Sequence, residues 1–355
     1  MKKRMAALLI FGISTTTWAQ SSVTLYGIID AGLTYVTNTG GHSDLIEDTG
    51  VMQANRWGLT GVEDLGGGIK ALFTLENGFT LGNGALGQGG ALFGRTASVG
   101  LSNRFGTLTM GRQYDFMYYL GLDASLGQFG GAYAAHVFDI DRLTGEQLNN
   151  TVKYVSPSFH GLNVGALYGF SNVAGQFGGA KGAPRAVSFG ANYDGGPLVI
   201  NLAYTDVNGT GGAASESLLN ATAVRNYGIG GRYLYRSLTL FGNYTNNRIS
   251  GLVRNAATTL QIFEGGFNWL ATPSTSFGVG YSFTDWSYAN YNQVNVAAHY
   301  FLSKSTDIYV SAYYQHSNSI SRPAAIWLIL NPGTNTGYSS NQNQLAMRVG
   351  MRVQF

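Results

Sequence analysis

From Val23 onward the chain alternates apolar and polar residues in short stretches. Val23, Leu25, Ile29, Leu33 and Tyr35 share one parity, while Thr24, Tyr26, Asp30 and Thr34 share the other. Period two marks a strand lying between two unlike environments. The same pattern recurs in Leu162, Val164, Ala166 and Tyr168 against Asn163 and Gly165, and in Val294, Val296, Ala298 and Tyr300 against Asn295 and His299. The last stretch sets Leu345, Met347, Val349, Met351, Val353 and Phe355 against Arg348, Arg352 and Gln354. About 16 such strands are expected, and Asn38 to Val51 reads as a polar loop. Connections alternate in length: short ones such as Gly195-Gly196-Pro197 and Arg236-Ser237, long ones at 171–185, 208–224, 248–258 and 317–342.

One long internal stretch, Phe116 to Asn150, does not alternate. It carries Asp123, Asp139, Asp141 and Glu146 with a single base, Arg142. A loop of that length is uncommon in a compact domain unless it is functional. The pattern therefore predicts an all-β fold: a transmembrane antiparallel β-barrel of about 16 strands, with short periplasmic turns and long external loops. Phe116–Asn150 is its third external loop, expected to fold into the lumen; taken alone, a mobile surface loop fits the same residues. A soluble sandwich or propeller is disfavoured by the number of strands and by the lack of a blade-length repeat.

Composition sharpens this reading. Charged residues make up 11% of the chain, well under the roughly 25% of a soluble protein. No run of about 18 apolar residues offers a membrane-spanning helix. Lys2-Lys3-Arg4, the apolar run Ala6 to Ile13 and Thr17-Trp18-Ala19 form a secretory leader with cleavage expected after Ala19. That leaves 20–355 as a single barrel domain. The leader holds three of the 21 bases and none of the 18 acids, so the mature chain balances at 18 of each. The basic character belongs to the leader and implies no nucleic-acid partner. With no cysteine, disulfides and thiol chemistry are excluded.

Several segments resemble the general porins of β-proteobacteria, the group that includes the neisserial porins. They are Ser22-Val23-Thr24-Leu25-Tyr26-Gly27, Arg56-Trp57-Gly58-Leu59-Thr60-Gly61-Val62-Glu63-Asp64-Leu65-Gly66 and Phe93-Gly94-Arg95. Gly106-Thr107-Leu108-Thr109-Met110-Gly111-Arg112-Gln113 and Asn150-Thr151-Val152-Lys153-Tyr154-Val155-Ser156-Pro157 continue the match, and Phe355 corresponds to the terminal assembly signal. The resemblance implies a homotrimer of 16-stranded barrels in the Gram-negative outer membrane, in contact with its lipid. It also implies passive diffusion of small hydrophilic solutes past a basic wall that faces acids on the third loop. Lys153 stands where relatives often carry Arg; the charge is kept but the rigid fork is lost. Small outward residues such as Gly27, Ala31 and Gly61 allow close subunit packing.

Candidate chemistry is that of a pore. No G-x-x-x-x-G-K-[ST], H-E-x-x-H or G-x-S-x-G occurs, so no catalytic residue, metal or cofactor is assigned. The alternatives are an outer-membrane barrel enzyme or a substrate-specific channel. Arg56 and Arg95 each lie about nine residues before a turn, at similar height, with Glu76 presented between them. An Arg56–Glu76–Arg95 ladder follows, in which one acid holds two bases together. Arg95 has the parity of outward Ala97 and Val99, which weakens that assignment, and Arg112 is left outside the pore. Lys153, Arg232 and Arg348 face the lumen by parity, as do Lys70 and Arg352 lower down. The expected constriction sets Arg56, Glu76, Arg95 and Lys153 on the wall against Asp115, Asp123, Asp139 and Asp141 on the loop. Wall bases are fixed on strands, whereas loop acids can turn toward backbone N–H groups or Arg142. Preference for small anions is therefore expected.

Overall fold

The computed structural model describes residues 22–171, 185–208, 221–251, 256–326 and 337–355. Among the described residues, seventeen strand segments form one antiparallel sheet closed on itself. The first six are β1 (Ser22–Thr39), β2 (His42–Thr49), β3 (Arg56–Gly66), β4 (Ile69–Gly78), β5 (Thr96–Asn103) and β6 (Gly106–Tyr114). After the long loop come β7 (Gln147–Val155), β8 (Leu162–Gly169), β9 (Arg185–Asp194), β10 (Leu198–Asn208), β11 (Ala223–Tyr235) and β12 (Leu238–Ser250). The last five are β13 (Ala257–Thr272), β14 (Thr275–Trp286), β15 (Ala289–Phe301), β16 (Thr306–Ser317) and β17 (Asn343–Gln354).

Strand β1 pairs with β3 through Ser22–Ile28 and with β2 through Ala31–Thr39. Segments β2 and β3 thus form one barrel strand interrupted at 50–55, and the barrel has sixteen staves. Pairing of β1 with β17, from Ile28↔Gln354 to Val36↔Ala346, closes it. The tight turn after β3 uses Gly67 and Gly68 at φ 62° and 79°, a region that side-chain-bearing residues avoid.

The alternation appears as expected. Val23, Leu25, Leu33, Val99 and Leu101 are each more than half exposed on the outer face, and Met351 is nearly so. A continuous apolar exterior on a closed barrel is solvated by lipid, since closure leaves no backbone edge unpaired. The inner face carries polar residues such as Thr34, Ser188, Asn226 and Asn295, all buried.

Three expectations are corrected. Asn38 to Val51 is not simply a loop, because His42–Thr49 is strand β2. Its inward Asp48 takes Arg348 as partner, which dilutes the apolar signal of Leu45-Ile46. The long connection is shorter than Phe116–Asn150: Gln147 to Asn150 belong to β7, entering the sheet across a bulge that skips a residue near Arg112. Nor is it structureless, since it holds helices α1 (Phe116–Ala124) and α2 (Gly127–Gly130). The leader at 1–19 lies outside the described residues, as do 172–184, 209–220, 252–255 and 327–336 of the long external connections.

The apolar core lies between this loop and the inner wall. Phe116, Met117 and Leu120 pack with Leu148, Leu167, Ala186 and Ala203. Val137, Phe138 and Ile140 pack with Val224, Ile249, Leu260 and Ile262. Each of the larger of these buried side chains contributes about 1.5–3 kcal/mol relative to exposure. Where the loop is seated, the lumen-facing side therefore includes apolar residues among the polar ones.

Candidate functional site

Helix α1 starts where Asp115 caps it, accepting from the Tyr118 N–H at 3.3 Å. Phe116, Leu120 and Ala124 turn to the wall and Tyr118, Gly121, Leu122 and Ser125 turn away from it. The wall makes room for the apolar face with inward glycines. A Cβ at Gly165 or Gly190 would overlap the Phe116 ring, and one at Gly230 would come within 2.8 Å of the Ala124 Cβ. At Gly280 it would come within 2.8 Å of Leu126.

Inner polar side chains then fix the loop backbone. Asn243 Nδ2 donates to Ala124 O at 2.7 Å, Asn226 Nδ2 to Ile140 O at 2.7 Å and Gln293 Nε2 to Tyr133 O at 2.8 Å. Short helices leave such carbonyls unpaired, and buried orphans are costly. Glu264 Oε1 accepts from Leu126 N–H at 2.9 Å. His136 sits between Asp141 on the loop and Glu264 on β13, fully buried. Burial lowers its basicity, but the two carboxylates outweigh burial and hold it well above the ordinary histidine value.

Between the loop and β2–β5 lies a cavity of about 360 Å³. Arg56, Arg95 and Gln88 line one side, with Tyr118, Ser125 and Asp139 on the other. Arg95 Nε donates to Glu76 Oε1 at 2.7 Å, and Tyr26 donates to Glu76 Oε2 at 2.9 Å. Arg95 escapes the parity argument because it precedes β5: only its backbone N–H joins the sheet edge, at Glu76 O. The expected ladder forms in part. Arg56 lies opposite Gly78, whereas Glu76 lies opposite Gly58 and Thr96, so Arg56 stands one pleat from the acid. Counting residues back from a turn fixes height only to within about one pleat, which is the offset found. The Arg56 side chain makes no hydrogen bond or ion pair among the described residues, and its Nε is buried without a partner.

The loop acids differ most from expectation. Asp115 is buried and takes Arg142 Nε at 2.5 Å, and Arg142 also holds Glu146. Asp141 is fully buried between His136 and Thr245. Asp123 pairs with Arg232 at 3.2 Å and accepts from Asn201. Of the four, Asp139 alone lines the cavity with Arg56 and Arg95. Its carboxylate accepts from the Thr144 backbone N–H and hydroxyl. Burial, reinforced by Asp141, pushes it up to about 8.

Lys153 is inward and buried, as parity required, but lies on the other side of α1. Its Nζ donates to Tyr114 O and Tyr119 Oη, both at 3.0 Å, and sits 4.8 Å over the Phe116 ring. Arg112 bonds Gly94 O at 2.6 Å and residues Gln147 and Asn149, at the root of the loop. Arg348 is wholly buried at the seam, bound to Asp30 and Asp48. Arg352 joins Asp307 at 2.9 Å, and Lys70 is exposed near its turn. Phe355 ends beside Gly27, exchanging backbone hydrogen bonds at 2.9 and 3.1 Å. Sequence reasoning missed His136 and Tyr26 as site residues; an inward acid at mid-strand, Glu264 or Glu76, was the available sign that a donor must meet it.

A family model described as Gram-negative porin matches residues 5–319. An outer membrane porin protein of Bordetella pertussis is 35% identical over 297 residues, covering 75% of this chain and 76% of that protein. The major outer membrane protein P.IB of Neisseria gonorrhoeae is 29% identical over 337 residues, covering 88% and 93%. Among solved structures, an anion-selective porin from Comamonas acidovorans superposes with a TM-score of 0.76 at 24% identity, covering 95% of this chain and all of that one.

Proposed function

The chain belongs to the Gram-negative porin family, a family of outer-membrane channel proteins rather than enzymes, and on that premise we propose that residues 115–146 narrow a water-filled passage which favours small anions. The observation that carries this reading is the unequal engagement of charges. Asp115, Asp123 and Asp141 each have a cationic partner, and Asp139 is held largely neutral below about pH 8. Arg56 and Lys153 meet no carboxylate within ion-pair distance among the described residues. Arg95 and Glu76 neutralise each other. The narrow region is left with positive potential, which low-dielectric walls focus. The similar fold of a porin named as anion-selective agrees with this direction.

Reversal potential across a salt gradient tests the proposal. Anion preference is expected for the wild type, weakening as salt rises, and Arg56→Glu should move it toward cations. A cation-selective wild type overturns the reading; an unaltered Arg56→Glu removes Arg56 from the path.

Two assembly features complete the proposal. The assembly is a homotrimer, which native mass measurement would show; outward Gly27 and Gly61 do not supply its packing surface, since the Phe355 and Phe73 rings lie over them. Cleavage after Ala19 would be seen by sequencing the mature N-terminus.

A further inference from the structure

The outer face carries a charged row that the passage does not use. At the external ends of β9–β13, the register sets Val187, Asp206, Arg225, Arg248 and Thr259 side by side. Their chain neighbours Thr205, Val207, Val224, Asn226, Asn247 and Ile249 are buried on the inner face. Alternation therefore points Asp206, Arg225 and Arg248 outward, away from the lumen. Arg185, at the start of β9, lies diagonal to Asp206 with the same outward parity. Arg225 and Arg248 are directly opposite each other. Side chains so placed start about 5 Å apart, and like charges there destabilise the sheet. Asp206 offsets only part: three arginines and one acid leave a net charge of +2. None of the three arginine side chains has a hydrogen bond or ion pair among the described residues, and Arg225 Nε is buried without a partner.

The position of the row identifies what could face it. The next outward row toward the periplasm is Phe189, Tyr204, Tyr227, Asn246 and Gln261. Phe189 and Tyr204 are in ring contact at 6.2 Å, as are Tyr244 and Phe263 at 4.9 Å. Amphipathic rings of this kind settle at headgroup level. The long connection after β10 marks this end as external, opposite the short turns at 195–197 and 236–237. One pleat beyond the rings, two guanidiniums thus stand at the depth of lipid headgroups in the outer leaflet. Guanidinium forks bind phosphate oxygens bidentately, and an anion between Arg225 and Arg248 turns their repulsion into attraction.

We propose that Arg225 and Arg248, assisted by Arg185, bind the phosphate of a phosphorylated lipid in the outer leaflet. The acyl chains lie along outward Leu202, Ile229 and Leu240, and Asp206 opposes a second anion beside the first. The site faces lipid, so solutes moving through the lumen do not meet it.

The test is native mass spectrometry of the folded protein in neutral detergent, titrated with diphosphoryl lipid A or its dephosphorylated counterpart. Wild type should retain the phosphorylated lipid, and Arg225→Ala/Arg248→Ala should bind it about tenfold or more weakly, the scale of one charge-assisted hydrogen bond. Arg225→Lys/Arg248→Lys, which keeps charge without the fork, should fall between. Equal retention of the dephosphorylated lipid by wild type would assign binding to acyl packing and overturn the proposal. So would undiminished binding by the double alanine variant, or inorganic phosphate bound as tightly as the lipid. Should that variant not fold, Arg248→Ala alone, at an exposed strand end, takes its place with the same expected direction. Conductance and ion selectivity should not change in any of them. A variant that shifts selectivity while retaining lipid would make the row a charge at the pore mouth and end the lipid assignment.

Discussion

The His136 Nε2 lies 3.1 Å from Glu264 Oε2, joining the loop to the wall, while Nδ1 lies 2.5 Å from Asp141 Oδ2 on the other side. An ionised carboxylate only accepts hydrogen bonds, and a neutral imidazole has one N–H to donate. Both contacts are satisfied together only by the imidazolium. The trio therefore clamps Leu126, His136 and Asp141 to β12 and β13 through a protonated histidine.

The sign of its pH dependence follows. A histidine whose folded pKa is raised contributes stability that is complete below its unfolded value of about 6.5 and is lost as pH rises through the folded value. Loop amides of 116–146 should exchange faster with deuterium at strongly alkaline pH, with a parallel increase in channel noise. His136→Gln should show the same loosening at neutral pH. Breaking a buried pair costs about 3–5 kcal/mol. Unchanged exchange in that variant would show that the clamp is not needed.

Asp139 gives a second, milder titration. Below about pH 8 its carboxyl is largely neutral and the cavity keeps the charge of Arg56; above it, an added negative charge opposes that arginine. Reversal potentials should drift toward cations as pH crosses about 8. Asp139→Asn should abolish that step while leaving selectivity at lower pH as it is. A step that persists in the variant belongs to another group.

Gly190→Ala tests the seat of α1. The added Cβ would overlap Phe116, whose ring already fills the space, so the helix must shift. Overpacking of this kind costs about 1–3 kcal/mol. A lower thermal unfolding midpoint and an altered single-channel conductance are expected together. Gly196→Ala has open space at its Cβ but a φ of 84°, so it should lower stability without altering conductance.

Arg348→Met probes the seam. Arg348 Nε donates to Tyr309 Oη at 2.8 Å and its Nη atoms reach Asp30 and Asp48. Removing it leaves two buried carboxylates without their cation, a loss of about 3–5 kcal/mol. The urea midpoint should fall accordingly; a variant as stable as wild type would show that water or Tyr309 suffices.

Sequence alone determined the barrel, its sixteen staves, the outward apolar face and the long third loop. These follow from period-two alternation and turn spacing, which are local properties of a strand with lipid on one side. Lys153 was placed inward for the same reason. Tertiary structure decided where the charges point. Asp115 and Asp141 turn into the loop's own contacts because the loop's fold brings Arg142 and His136 against them and burial demands pairing. Arg95 reaches Glu76 because the strand begins one residue later than its parity suggests. Arg56 stands one pleat from Glu76, a difference that counting residues back from the turn does not resolve. The inward glycines read as ordinary polar-face residues until α1 was seen to occupy the space they leave. Alternation states which face a residue takes, but not its height, its partner or what fills the lumen, and those depend on residues more than a hundred positions away, such as Glu264 beside Leu126.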